Sequence, residues 1–303
     1  MRIKNDVTHH KGERLKKLNI IGCGKVGQTL AHLWRSTGTF EIQDVLTTSL
    51  PSAQRACTLI GGGNPVSSLA VMRPADVWMI GVQDAQIEAT ASTMAQALGG
   101  SGSAIETAAC VVFHCSGALS SNALDPLAGL GWQTASAHCI LSFSSVDTAI
   151  TQFSGTACAL EGNSTAIACL RLSFERIGAQ CFGVDSDQKL LYHAAAVFAT
   201  NFLPVLQKLA EDAWRASGVP KALLPSLRTA LLNNAVANIL RTGPEGALTG
   251  PAARGDTAAI ARQSAAVNAW DAQAGAAYDA LSALALRMAN ASKETTATAA
   301  TPH

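Results

Sequence analysis

Lys189, His193, Val197 and Asn201 follow one another at i, i+4 steps through an alanine- and leucine-rich stretch that begins at Asp187. A helix there lines them up along one face. Three polar side chains on an otherwise apolar helix point to a cleft rather than a core. Such a row can give a proton and hydrogen bonds to a carbonyl or imine being reduced, with Lys189 or His193 as the acid and Asn201 orienting the reacting oxygen or nitrogen. The same spacing also fits a lysine exposed at the helix start and an interface histidine whose needs are already met. His138, near the end of an apolar run at 132–140, is a further candidate, either for touching a substrate or for capping a loop through Ser142 or Ser144. In the run from Leu248 to Thr257, Arg254 can clamp a carboxylate bidentately or simply pair with Asp256, and Asp256 or Thr257 suits the N-cap of the next helix.

Other chemistries fit less well. No GxSxG follows a strand, and Ser116-Gly117 has the wrong neighbours for a nucleophile elbow, so a Ser-His-Asp hydrolase is set aside. The eight cysteines form no CxxC pair and lie mostly inside apolar segments, as buried reduced thiols do. His114-Cys115 and His138-Cys139 are adjacent pairs, and neighbours on a strand face opposite ways, so neither pair offers two ligands to one metal; no metal is expected.

The elements that must position these residues start at Leu18. A short apolar run ends in Gly22-Cys23-Gly24-Lys25-Val26-Gly27, and a helical pattern (Val26, Leu30, Leu33, Trp34) begins at once. A strand turning sharply into a helix through GxGxxG is the setting of a dinucleotide site, with pyrophosphate at the helix N-terminus. Strands are then expected at 40–48, 75–82, 109–115, 132–140, 156–160 and 180–184, with helices at 51–60, 83–98 and 164–177 and a loop at 61–65. This alternation predicts an α/β doubly wound Rossmann-like parallel sheet, with ligands at the carboxyl ends of its strands. Those ends are Gly22 to Gly27, Thr47-Thr48-Ser49, Val82-Gln83 and Ser116-Gly117.

After Asp185 the pattern is helical only. A long helix is expected at 187–216 with a kink or a short break at Pro204, and others at 221–241, 257–268 and 270–290, while 243–256 carries Gly-Pro twice and cannot be helical throughout. The expected organisation is a disordered basic tail at 1–17, a dinucleotide-binding domain at 18–184, an all-α substrate domain at 185–291, and a disordered tail at 292–303. Hydrophobic residues make up 48%, charged residues 14% and the formal net charge is +1. That composition suits a globular chain and gives no field for nucleic acid or a membrane surface. The basic start lacks the apolar core of a signal peptide, and no later run reaches about 18 uninterrupted apolar residues, so a cytoplasmic protein is expected.

The cofactor choice turns on the second strand. Asp44 lies at about the spacing of an acid that holds the ribose hydroxyls, but Val45 to Thr48 carry the strand past it. The edge itself offers Thr47, Thr48 and Ser49, with Arg55 in the next helix; hydroxyls and a guanidinium suit a 2′-phosphate, so NADP is expected over NAD.

Four motifs carry a family likeness: Gly22 to Gly27, Phe113-His114-Cys115-Ser116-Gly117-Ala118-Leu119, Tyr192-His193 through Asn201, and Leu248 through Asp256. Together they resemble a group of oxidoreductases that pair a Rossmann-like domain with a helical domain of unknown function. More distantly the chain is similar to the pyrroline-5-carboxylate reductase, ketopantoate reductase and 6-phosphogluconate dehydrogenase superfamily. That resemblance implies a nicotinamide cofactor, a homodimer through the helical domain, an active site between domains, and roles for Lys189 and Asn201. One departure is His138-Cys139, where such proteins commonly show His-Pro. The expected activity is hydride transfer to a small carbonyl or imine acid, a ketopantoate-like 2-keto acid first and a cyclic imine second; the alternative is an NADP-binding sensor or scaffold without turnover.

Overall fold

A computed structural model of the chain describes residues 14–98 and 110–299. The run leading into the glycine turn forms β1 (Lys16–Ile21), buried from Leu18 onward, and α1 (Lys25–Ser36) follows. Lys16 and Lys17, expected in a tail, belong to the strand: they pair with Phe40 and Glu41 of β2 (Phe40–Leu46). Ser49 caps α2 (Leu50–Ile60) by accepting from the Ser52 N–H, and Pro51 stands in the first turn, where no N–H is needed. The segment 61–65, expected as loop, ends in a short strand, β3 (Asn64–Val66), at the sheet edge. An edge strand has one unpaired side, so Pro65 costs it no ladder bond.

The remaining strands are β4 (Val77–Ile80), β5 (Val111–His114), β6 (Gln133–Cys139), β7 (Ala157–Gly162) and β8 (Gln180–Gly183). Between them lie α3 (Ile87–Leu98), α4 (Asp125–Ala128), α5 (Val146–Gln152) and α6 (Ser164–Arg176). Ala109, expected as the start of a strand, lies outside the described residues, as do 1–13 and 300–303. Among the described residues eight strands form one sheet in the order β3-β2-β1-β4-β5-β6-β7-β8, and only the β6–β7 pair is antiparallel. Strand order runs outward from β1 and β4, and the carboxyl ends of those two strands are where a doubly wound sheet leaves its ligand crevice.

Apolar side chains fill both faces. On one, fully buried Trp34 meets Phe40, Phe113 and Phe174 edge-on at centroid distances of 5.4, 6.1 and 5.1 Å and donates its indole N–H to Ser173 O. On the other, Trp78 and Trp132 lie 5.6 Å apart above Ile80, Val112 and Leu127.

The chain divides into two compact units, Met1–Phe198 and Ala199–His303. The division falls after α7 (Lys189–Ala196), so this helix goes with the sheet rather than with the helices after it, where the expected boundary at 185 put it. The long helix expected at 187–216 is also not uniform. A 3-10 turn at Ser186–Gln188 leads into α7, a π turn occupies Val197–Asn201, and α8 (Phe202–Ala216) follows. Pro204 has no N–H for the carbonyl four residues earlier, which is where the regular ladder gives way.

The second unit continues with α9 (Leu224–Ala247), interrupted at Gly243 (φ 72°), then α10 (Gly250–Arg254), α11 (Thr257–Trp270) and α12 (Ala272–Ala299). α12 runs helical past the expected end at 291. Among the described residues one stretch, Ser186–Ala216, is long and apolar enough to cross a membrane by length and composition alone.

Candidate functional site

The glycine turn is built for close approach. Gly22 has φ +77°, a conformation that disfavours any side chain, and a Cβ there would come within 2.6 Å of Val82 N and Val82 Cγ1. Gly27 lets α1 settle on β4, since its Cβ would meet Met79 Cε at 3.2 Å. Gly24 N-caps α1 with no side-chain hydrogen bond, and nothing lies within 4 Å of where its Cβ would be. The first N–H groups of α1 are therefore open to an anion, which fits a pyrophosphate. Of the other motif residues, Cys23 is buried, and burial pushes its thiol up to about 12, so it offers backbone only. Lys25 Nζ donates to Ser144 O at 2.6 Å, and Val26 packs partly against the core. Val82 and Gln83 stand at the end of β4, beside this turn.

Within β2, short of its tip, the acid is already committed. Asp44, with 0% exposure, pairs with Arg73 at 2.6 Å and also accepts from Asn64 Nδ2 and Arg73 N. Burial alone would raise its carboxyl, but these donors outweigh it and hold the group below the usual carboxylate range. Thr47 spends its hydroxyl proton on Ser49 O at 2.9 Å, and Ser49 Oγ accepts the cap bond of α2, leaving the Thr48 and Ser49 hydroxyls to donate outward. Arg55 is exposed on α2.

The polar centre lies at the carboxyl ends of β5 and β6. Lys189 is buried, 2% exposed, not solvated at the helix start. Its Nζ donates to Ser136 Oγ at 2.5 Å and to Ser116 O at 3.1 Å. An ammonium carries three protons, so one N–H remains for another partner. Burial lowers its proton affinity, and Glu161, the largest opposing influence, raises it. Ser136 Oγ lies 3.1 Å from Glu161 Oε2, and Ser121 N, Ser121 Oγ and Ser186 Oγ also donate to that carboxylate. Burial pushes Glu161 up, but these bonds prevail and keep it ionised. Ser116 is fully used: its hydroxyl donates to Asp84 Oδ2 at 2.6 Å and accepts from Ala118 N and Leu119 N, so it shapes the turn.

Two histidines close over Gly117. A Cβ on that residue would sit 2.5 Å from His193 Nδ1 and 2.8 Å from His138 Nε2, so only glycine lets both rings in. His138 Nδ1 lies 2.8 Å from Tyr192 OH, and the two imidazoles are 5.7 Å apart. His193 Nδ1 is buried without a hydrogen-bond partner among the described residues. Burial, with His193 and Lys189 nearby, lowers His138 to about 4.

The structure thus brings together Ser116, Gly117, His138, Lys189 and His193. Asn201 belongs to the second unit, at the end of the π turn that interrupts the four-residue period of the row; it is exposed and accepts from Thr200 Oγ1 at 2.9 Å. Arg254 is exposed at the end of α10, and no Arg254–Asp256 ion pair forms: Asp256 instead caps α11 by accepting from Ala259 N at 2.9 Å. Glu161, Ser136 and Tyr192 complete the centre and were not singled out from the sequence. A lone acid closing the apolar run Ala157 to Leu160 was the available signal.

The comparisons agree with this architecture. Residues 1–138 match the Rossmann-like domain family, and residues 156–285 match a domain of unknown function, DUF2520. Among solved structures it is similar to protein TM1727 from Thermotoga maritima (24% identity, TM-score 0.70, covering 91% of this chain and 99% of that one). It is also similar to an imine reductase from Myxococcus stipitatus in complex with NADP+ (16%, 0.57, 91% and 94%) and to pyrroline carboxylate reductase from Plasmodium falciparum with NADP bound (15%, 0.53, 92% and 100%). No curated protein matches.

Proposed function

We propose that this chain is an NADP-dependent oxidoreductase that reduces a small carbonyl or imine acid at the carboxyl ends of β5 and β6. The observation that carries the reading is Lys189, a buried ammonium with two N–H groups bonded and one left over, beside two histidines that Gly117 admits. Gly22 to Gly27 would hold the pyrophosphate, and Thr48, Ser49 and Arg55 the 2′-phosphate. When bound, the nicotinamide supplies the hydride. Lys189 gives its remaining proton to the substrate oxygen or nitrogen as the carbon is reduced, and His138, held neutral by burial, orients that atom together with the neighbouring His193. Arg254 is our candidate for the substrate carboxylate. A 2-keto acid is the first substrate class and a cyclic imine the second. The protein is further proposed to be cytoplasmic and to act as a homodimer, with no nucleic-acid or membrane partner.

The test is a panel of 2-keto acids and cyclic imines with NADPH, followed by its absorbance. Lys189→Ala should lower kcat/KM by about 100-fold or more while NADPH still binds. Turnover that survives this change removes Lys189 as the acid. Binding of NADPH with no turnover across the panel favours a sensor.

A further inference from the structure

Lys189 and Glu161 are both buried and opposite in charge, yet no direct ion pair joins them; the Ser136 hydroxyl stands between, taking a bond from Lys189 Nζ at 2.5 Å and lying 3.1 Å from Glu161 Oε2. The strands make this possible. β6 and β7 are antiparallel, and Ser136 pairs with Glu161 across that ladder, so both side chains fall on one face. Lys189 reaches the same point from the first turn of α7. On the far side, Ser186 donates to Glu161 Oε1 at 2.6 Å, which ties the start of the helix to the same carboxylate.

We propose that Glu161 is a positioning residue for Lys189, holding it in the ammonium form across the Ser136 hydroxyl with one N–H free. The inference rests on Lys189 being the proton donor. A lysine removed from water tends to lose its proton, and a neutral amine would have none to give. The polarity of the chain is fixed: Glu161 has four donors and no proton of its own, so Ser136 must donate to it and offer its lone pair to Lys189. The other groups that bear on Lys189 are Cys158 on β7, Cys115 after β5, His114 on β5, His138 on β6 and Asp84 before α3. Both histidines are held neutral by burial, and burial keeps the Cys115 thiol protonated. Asp84 is bonded to Ser116 Oγ, not to the amine. Glu161 is thus the buried anion linked to Lys189 through a hydrogen-bonded chain.

The test uses the full chain with lysine labelled by carbon-13 at Cε. The Lys189 signal, identified by its loss in Lys189→Arg, is titrated by NMR in wild type and in Glu161→Gln. Gln keeps the size and an acceptor oxygen but not the charge. We expect the Lys189 proton affinity to fall at least about tenfold, with NADPH affinity within about twofold of wild type. A folded Glu161→Gln whose Lys189 titrates as in wild type overturns the proposal. If that variant does not fold, Ser136→Ala cuts the bridge while Ser121 and Ser186 still hold Glu161. It should weaken Lys189 by at least about threefold, and an unmoved titration again overturns the idea. Because this readout needs no substrate, a shifted titration together with full turnover in Lys189→Ala would leave the coupling intact and remove only the proton-donor reading.

Discussion

His114 sits 0% exposed beneath the Ser116 turn, and its two nitrogens are assigned by their partners. Ser116 N donates to Nδ1 at 3.2 Å, so that nitrogen carries no proton, and Nε2 donates to Ser120 O at 3.1 Å. A second proton would displace the Ser116 N–H, and burial already pushes the imidazole down to about 4. Below the ordinary histidine value of about 6.5 the unfolded chain therefore binds a proton that the folded chain refuses. Stability should fall as pH drops from about 6.5 toward 4, by up to about 3 kcal/mol from this residue, with His138 acting in the same direction. Unfolding midpoints of wild type and His114→Gln across that range check this: the variant should show the shallower slope, and equal slopes would contradict it. At this scale the sequence revealed what spacing encodes. Lys189 and His193 share a face four residues apart, and His138 falls at a strand end. Glu161 and Ser136 were hidden because they meet only through strand pairing, which a linear pattern does not display.

The β2 strand shows how an element decides the role of a residue. Asp44 has nearly the spacing of a ribose-binding acid, but it stands opposite Asn64 of β3, and its carboxylate is buried in an ion pair with Arg73. Asp44→Asn should cost roughly 2 kcal/mol in chemical denaturation, since it leaves Arg73 and Asn64 without their shared charge. It should leave the ratio of NADPH to NADH affinity unchanged. A switch of cofactor preference in that variant would return Asp44 to the nucleotide site. Strands and helices of the sheet were legible because buried parallel strands read as apolar runs and the intervening helices carry their own caps. β3 was not, because its three residues include Asn64 and Pro65, which signal a loop. The π turn at Val197–Asn201 was legible only in part: Pro204 signals a kink or break, but not that the altered turn falls upstream of it. Its residues, Val-Phe-Ala-Thr-Asn, carry no signal that separates a π turn from a regular one, and the missing N–H belongs to Pro204 downstream.

For the molecule as a whole, apolar side chains stay exposed to an unusual degree along the helices: Leu190 and Leu191 are 71% exposed and Leu240 is 82% exposed. Surfaces of this kind mark contact with another protein. We predict a dimer at micromolar concentration by sedimentation, weakened at least about tenfold by Leu240→Lys; a monomer with or without the substitution removes the proposal. The doubly wound sheet and the helical second half were both readable from the alternation of periods, whereas the division at Phe198 was not, since it lies within one continuous helical pattern. Another consequence follows from the sheet itself. Cys139, Cys158 and Cys181 stand in register across β6, β7 and β8, and the hydrogen bond with Cys139, then burial, push the Cys158 thiol far above its ordinary value. Cys158, with 0% exposure, can meet an alkylating reagent only when these strands part. The rate at which it labels under native conditions is thus a clock for the opening of the sheet, read without any substrate and without adding a probe to the chain.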